Sequence, residues 1–357
     1  MTQFSAEFFS IKVTQKTNWH FVSLSDGYFT GWGEATLNGH NKELENLFKE
    51  LSQPLDVTEL QKLKFQTLPN AALSSALLQA YLDLRARKAK KALSESLGGI
   101  AKSKVGVYAN INRRTTDRSC VGMAQSAKEA IRKGHKAIKI APFDEVHPDM
   151  SGADMRVAME EGLCRIVAVK EVIGEKRLMI DCHWRFDFDG AKALIDACSS
   201  LSLYWIECPI SEKKENIPLL KRLRSRANAF GIRLAGLETA ICRRGFLPYA
   251  EAGAYDVMMP DVKYCGGPLE MMAIATDLDS YGIDFSPHNP SGPICHLHSL
   301  NICAVLSKTD LLEMQFDESP MFNSLLKNTL PPVAEGEIEL FRDLPGLGAS
   351  LTIPKLE

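Results

Sequence analysis

From about residue 104 to 320 the chain repeats one unit eight times. Short apolar runs recur as "KVGVYANI", "HKAIKIAPF", "RLMIDCHW", "LYWIECPI", "RLAGLETA", "YDVMMPDV", "GIDFSPHN" and "DLLEMQF". Between them lie segments such as "GADMRVAMEEGLCRIVAVKEVIG", whose apolar residues return every three or four positions, as in a helix packed on a sheet. Near-continuous apolar strands belong to a parallel sheet buried on both faces. Eight alternating strand and helix units close into a (β/α)8 barrel, so the expected fold class is α/β.

Residues 1–103 have another texture. "FFSIKVT", "HFVSLSDG" and "YFTGWGEAT" read as three short strands punctuated by Asp-Gly and Gly-x-Gly turns, followed by helical spacing up to "SLGG". This predicts a small α+β module. Residues 321–357, rich in Pro and Gly, carry no ninth unit and are expected to run back to that module.

A formal charge of −2 and 45% hydrophobic residues leave no basic excess for nucleic acid. The start "MTQFSAEFFSIKV" has no signal-peptide pattern, and no run nears the roughly 18 apolar residues of a membrane span. A cytoplasmic protein is expected. Nine cysteines without a C-x-x-C pair argue against a disulfide framework and a structural zinc, and most are read as small core residues in a reducing compartment.

In such a barrel the active site lies at the C-terminal strand ends. Seven consecutive ends offer Lys139, then Asp181 with His183, Glu207, Glu238, Asp261, His288 and Glu313. Asp181, Glu207 and Glu238, on neighbouring strands and read as having no matching cation beside them, repel one another unless a cation sits between them. An all-oxygen set suits Mg2+ better than zinc. The alternation of side chains along a strand turns Cys182 and Cys208 toward the helix layer. A carboxylate at Asp261 can hold the His288 imidazole in one tautomer and make it a general base. Lys263 either faces the pocket or is solvated at the rim, and Arg185 either binds substrate or pairs with Asp187. Arg113 and Arg114 are equally ambiguous, while His296 and His298 read as structural.

The ordered set "AIKIAPF", "MIDCHW", "WIECP", "GLE", "MMPDVKYCGG", "SPHNPSGPI" and "LLEMQF" resembles the enolase superfamily, specifically its mandelate racemase subgroup. "GWGEAT", residues 31–36, looks like a hairpin motif of that family's N-terminal capping domain. The resemblance implies a modified, TIM-like (β/α)8-type barrel over residues 104–320. A capping domain over 1–103 would be completed by 321–357. It implies that Asp181, Glu207 and Glu238 bind Mg2+, and that the Asp261–His288 dyad takes a proton from the carbon next to a carboxylate. Lys139 would help hold the substrate carboxylate, and Glu313 would hydrogen-bond the enediolate oxygen.

Two positions depart from the racemase pattern. Ala141 replaces the second lysine of the K-x-K motif, and His183 stands where an asparagine is common. The second departure resembles acid-sugar dehydratases of the D-galactonate dehydratase type, in which this histidine protonates a leaving hydroxyl. The expected function is therefore an acid-sugar dehydratase, a hydro-lyase. The alternatives are a racemase or epimerase using His288 and His183 on opposite faces, and, more distantly, a non-catalytic sugar-acid binding protein. Substrate is expected to meet the loops at 14–20 and 37–43, through Asn18, Trp19 and His40, together with Arg185 and Lys263. The implied partner is a polyhydroxylated carboxylate, with no nucleic acid or membrane, in a homo-oligomer.

Overall fold

A computed structural model describes residues 2–99, 102–341 and 343–352. The chain opens on an antiparallel meander of β1 (Ser5–Lys12), β2 (Asn18–Ser25) and β3 (Thr30–Glu34), followed by α1 (Asn41–Lys49), α2 (Val57–Gln61), α3 (Leu68–Lys88) and α4 (Leu93–Ser96). Thr67 caps α3 by accepting the Asn70 N–H, and Pro69 lies in the first turn, where its missing N–H costs no hydrogen bond. This helix lies across β3 so closely that a Cβ on Gly31 or Gly33 would fall 2.0 Å from the Ala80 carbonyl oxygen or 1.9 Å from that of Ala76. The Gly-x-Gly expected as a turn is therefore strand, and its glycines admit the helix backbone. Asp26-Gly27 makes the turn, with Gly27 at φ 90°.

The barrel follows: β4 (Lys104–Asn110), α5 (Cys120–Arg132), β5 (Ala137–Ile140), α6 (Gly152–Ile173), β6 (Arg177–Asp181), α7 (Phe188–Ala197), β7 (Trp205–Glu207), α8 (Ile217–Asn228), β8 (Arg233–Gly236), α9 (Cys242–Ala252), β9 (Val257–Met258), α10 (Gly267–Ser280), β10 (Asp284–Phe285), α11 (Pro293–Val305) and β11 (Leu312–Gln315). The eight strands are parallel in the order β10-β9-β8-β7-β6-β5-β4-β11. Backbone hydrogen bonds from Asp310 to Phe285 (2.8 Å) and Glu313 to Pro287 (3.2 Å) join the two ends. Among the described residues the eighth strand is followed only by the single turn α12 (Met321–Ser324), and β12 (Glu337–Glu339) then pairs antiparallel with β4. Among the described residues no helix is long and apolar enough to cross a membrane.

Residues near the end of the described chain also meet the first elements. Gly346 accepts from Leu93 (2.7 Å) and donates to Lys91 (2.8 Å), and the Leu347 N–H donates to Asp83 (2.8 Å). A second tie runs through Glu34, at the end of β3. This fully buried carboxylate accepts the N–H groups of Gly292 (2.7 Å) and Cys295 (2.9 Å), an anion at the N-terminus of α11.

The disulfide expectation needs correction. Cys120, at the start of α5, is bonded to Cys164 on α6, two positions 44 apart in sequence with no spacing signature to reveal them. Six of the other seven cysteines are buried, as expected of small core residues.

Burial pushes the pKa of His20, His135, His296 and His298 down to about 4 in each case. The unfolded chain takes up these protons near pH 6.5 and the folded chain does not. Their contribution is thus fully present above that pH and is lost as pH falls toward 4, together on the order of several kcal/mol. The melting temperature is expected to drop by roughly 10 °C or more between pH 7 and 4.5; a flat profile over that interval would contradict the burial of these rings.

Candidate active site

Alternation along the strands builds the site in layers. Tyr108, Ala137, Met179, Trp205, Ala235, Val257 and Met259 form an apolar cluster of their own inside the barrel. Two residues further along β4 to β7 stand Asn110, Lys139, Asp181 and Glu207. Glu313 joins them from β11, while Glu238, Asp261 and His288 come from the loops just beyond β8, β9 and β10.

Lys139 is the centre of this layer. Its side chain is 1% exposed, and its Nζ lies 2.8 Å from Glu207 Oε1, 2.9 Å from Glu313 Oε1 and 4.0 Å from Asp181 Oδ2. The carboxylates are therefore not without a cation, contrary to expectation, because Lys139 reaches across three strands. One ammonium does not balance four buried carboxylates. Burial, with Asp181 and Glu313 adding repulsion, raises the Glu207 pKa to about 7 even with Lys139 beside it. Burial and the Asp181 and Glu207 charges push Glu238 well above the carboxylate range. Among the described residues Glu238 Oε2 finds no hydrogen-bond partner, and it stands 3.5 Å from His288 Nε2. Burial acts upward on Glu313 as well, but Lys139 and His288 hold it below its ordinary value.

Buried carboxylates short of positive charge are the donors a divalent cation requires. Carboxylate oxygens of Glu207 and Glu238 converge with Cys208 Sγ, all within 4.8 Å of one another. Asp181, the third expected ligand, pairs across the sheet with Glu207 but turns its Oδ2 toward His183 Nε2 at 3.0 Å. Cys208 corrects the sequence reading. Its φ of 46° breaks the alternation at the strand end and brings the sulfur toward the acids.

His288 Nδ1 lies 2.8 Å from Asp261 Oδ2. Lys263 shares the same oxygen at 2.6 Å and bonds to Ser291. It is 1% exposed, which excludes a solvated rim lysine. Asn289, next to the histidine, donates its N–H to Glu313 Oε2 at 2.7 Å, tying "SPHNPSGP" to the eighth strand. Glu313 Oε1 accepts from Asn110 Nδ2 at 2.7 Å, so both of its oxygens are engaged. His183 is 43% exposed on its side chain, and the neighbouring Asp181 charge raises its pKa against burial.

Asp181, His183, Glu238, Lys263 and His288 line one cavity of about 280 Å3. Larger clefts of about 620 and 540 Å3 open at the opposite strand ends and hold none of these side chains. The loop at 37–43 contributes Leu37 and Asn38 to the cavity. His40 does not line it and pairs with Glu43 on the surface at 2.9 Å. Asn18 and Trp19 do not line it either. Trp19 is 1% exposed and packs edge-on to Phe21 and Phe322. Arg185 donates to the Asp144 (3.0 Å) and Val146 (2.9 Å) carbonyls, and Asp187 caps α7 instead of pairing with it. Arg113 reaches the cavity while bonded to Glu318 at 3.2 Å, whereas Arg114 pairs with Glu129 and Asp317. His298 (to Trp32 O, 2.9 Å) and His296 (to Asn289, 3.0 Å) are buried in α11, as expected. The sequence reading passed over Asn110 and Gln315, although both fall on the inward-facing alternation it used for other strands. Thr36, Asn112 and Tyr264 lie in loops where no period marks them.

This barrel with ionisable strand ends defines a recognisable class. A family model described as Enolase C-terminal domain-like matches residues 122–355, and the chain belongs to that family within the enolase superfamily. Among individual proteins it is similar to D-gluconate dehydratase of Thermoproteus tenax, 28% identical over 82% of this chain, which spans 57% of that protein's length. It is also similar to arabinonate dehydratase of Saccharolobus solfataricus (26% identical, 92% of this chain and 87% of that one) and D-galactonate dehydratase of Ralstonia pickettii (25%, 96% and 92%). The fold matches the mandelate racemase/muconate lactonizing enzyme structures from Jannaschia sp. CCS1 (TM-score 0.83, 19% identity, 99% of this chain and 96% of that one) and Sulfitobacter sp. (0.83, 21%, 98% and 93%).

Proposed function

We propose that the protein is a Mg2+-dependent acid-sugar dehydratase, which removes the proton next to a sugar carboxylate and then water to give a 2-keto-3-deoxy acid. The observation that carries this reading is one cavity lined by two histidines, each bonded to a carboxylate, His288 to Asp261 and His183 to Asp181. Relatives named as gluconate, arabinonate and galactonate dehydratases support the substrate class.

Asp181, Glu207 and Glu238 would hold the ion, and the unpartnered Glu238 Oε2 favours this assignment. Bound there, Mg2+ supplies positive charge for the anionic oxygens that develop on the substrate. Lys139 adds a fixed ammonium under the same group. Glu313 anchors Lys139 at 2.9 Å, and its other oxygen lies 3.9 Å from His288 Nε2. Asp261 binds His288 Nδ1–H and leaves the Nε2 lone pair toward the cavity, where it takes the C2 proton. The electron pair released at C2 expels the C3 hydroxyl, His183 protonates it to water, and the resulting enol ketonises.

The test is a library of mono- and diacid sugars incubated with the protein and MgCl2 and scored for 2-keto acid. Keto acid should form from at least one substrate, stop with EDTA and return with excess Mg2+. Stereoinversion without keto acid would replace this reading with epimerisation. Absence of α-proton exchange from every acid in deuterated buffer would leave only a binding protein.

A further inference from the structure

The three turns that aim His183, Glu207 and Glu238 share one side chain that sequence reasoning passed over. Glu212 lies in the loop between β7 and α8, partly buried. Its Oε2 accepts the Trp184 indole N–H at 2.9 Å. Its Oε1 accepts the Leu237 N–H at 2.7 Å and the Tyr255 hydroxyl at 2.7 Å, and lies 3.7 Å from Cys208 Sγ. Among the described residues no cation pairs with it.

Three of the four segments this carboxylate touches, those of Trp184, Cys208 and Leu237, are in a conformation that non-glycine residues avoid. Trp184 has φ 57°, Cys208 46° and Leu237 71°, and His183 beside Trp184 has 46°. These residues adjoin Asp181, Glu207 and Glu238. Left-handed backbone at bulky residues persists only where the surroundings hold it. Gly236 accommodates the same carboxylate, since a Cβ there would lie 2.3 Å from Glu212 Oε1. The Trp184 N–H donates to the Cys208 carbonyl (2.7 Å) and the Cys208 N–H to the Ala235 carbonyl (3.0 Å), linking the same three strand ends.

We infer that Glu212 is the positioning residue of the site. It holds the turns after β6, β7 and β8 in register, so that the His183 ring and the Glu207 and Glu238 carboxylates converge. It also adds a negative charge behind them that favours a divalent cation. Groups of this kind are worth roughly 10- to 100-fold in metal affinity. The cation part rests on the Mg2+ reading above; the positioning of Trp184 does not.

Calorimetric titration with MgCl2 alone, in the absence of substrate, reads the first part. The indole N–H signals of 15N-tryptophan-labelled protein read the second. Glu212→Gln, which presents an amide N–H2 to groups that are all donors, should weaken Mg2+ binding about 10- to 100-fold and shift the Trp184 indole signal upfield with faster solvent exchange. Gly236→Ala, which displaces the carboxylate without removing it, should do the same, and Tyr255→Phe should move both readouts less. These two variants decide the matter if Glu212→Gln does not fold. Unchanged Mg2+ affinity together with an unmoved Trp184 signal would overturn the inference. If the wild type binds no Mg2+, the metal reading fails by itself, and the Trp184 signal alone then decides for or against the positioning role.

Discussion

His288→Asn is expected to lower kcat roughly 100- to 10,000-fold while leaving substrate and Mg2+ binding within a few fold. The histidine is 8% exposed and holds Asp261 through Nδ1 at 2.8 Å. An asparagine amide can still donate to Asp261, so the variant removes the Nε2 lone pair and little else. Lys263, on the same Asp261 oxygen at 2.6 Å, keeps that carboxylate paired and limits the structural cost. Stopped-time assays of keto acid and of deuterium uptake at C2 should fall together, because proton removal precedes elimination. A variant that exchanges the α-proton at the wild-type rate would remove His288 from the role of base and direct attention to His183.

The legible and illegible parts of this site divide along a physical line. Alternation placed Lys139, Asp181 and Glu207 on one face because those residues lie within regular strands, where each side chain's direction follows from its neighbour's. Alternation ends one residue later. Cys208 leaves the strand with φ 46°, and its sulfur swings back among the acids. Interactions distant in sequence were equally out of reach. The Lys139 ammonium is shared with Glu313, 174 positions away, and Glu34 reaches α11 across 258. Trp19, in a polar loop sequence, looked available to substrate. The aromatic rings of Phe21 and Phe322 enclose it, and only tertiary packing brings Phe322 there. His40 failed for the opposite reason, since a local partner three residues on, Glu43, was visible in the sequence and sufficient to occupy it.

His183→Asn should separate the two halves of the reaction. Asparagine tolerates the left-handed backbone that His183 adopts at φ 46°, so the turn can survive the change. The substitution removes the one half-exposed histidine on the cavity while leaving the His288–Asp261 pair intact. Deuterium uptake at C2 is expected to continue within about tenfold of wild type, whereas keto acid formation drops roughly 100- to 10,000-fold, the usual contribution of a positioned acid. The ratio of exchange to elimination thus rises by orders of magnitude, a result that general unfolding or weakened metal binding would not produce, since either depresses both rates. If both rates fall in parallel, His183 acts only through Asp181, which it contacts at 3.0 Å. If elimination persists at full rate, the leaving hydroxyl takes its proton elsewhere. A substrate that inverts at C2 in the wild type and loses inversion in His183→Asn would instead make this histidine the second base of an epimerase.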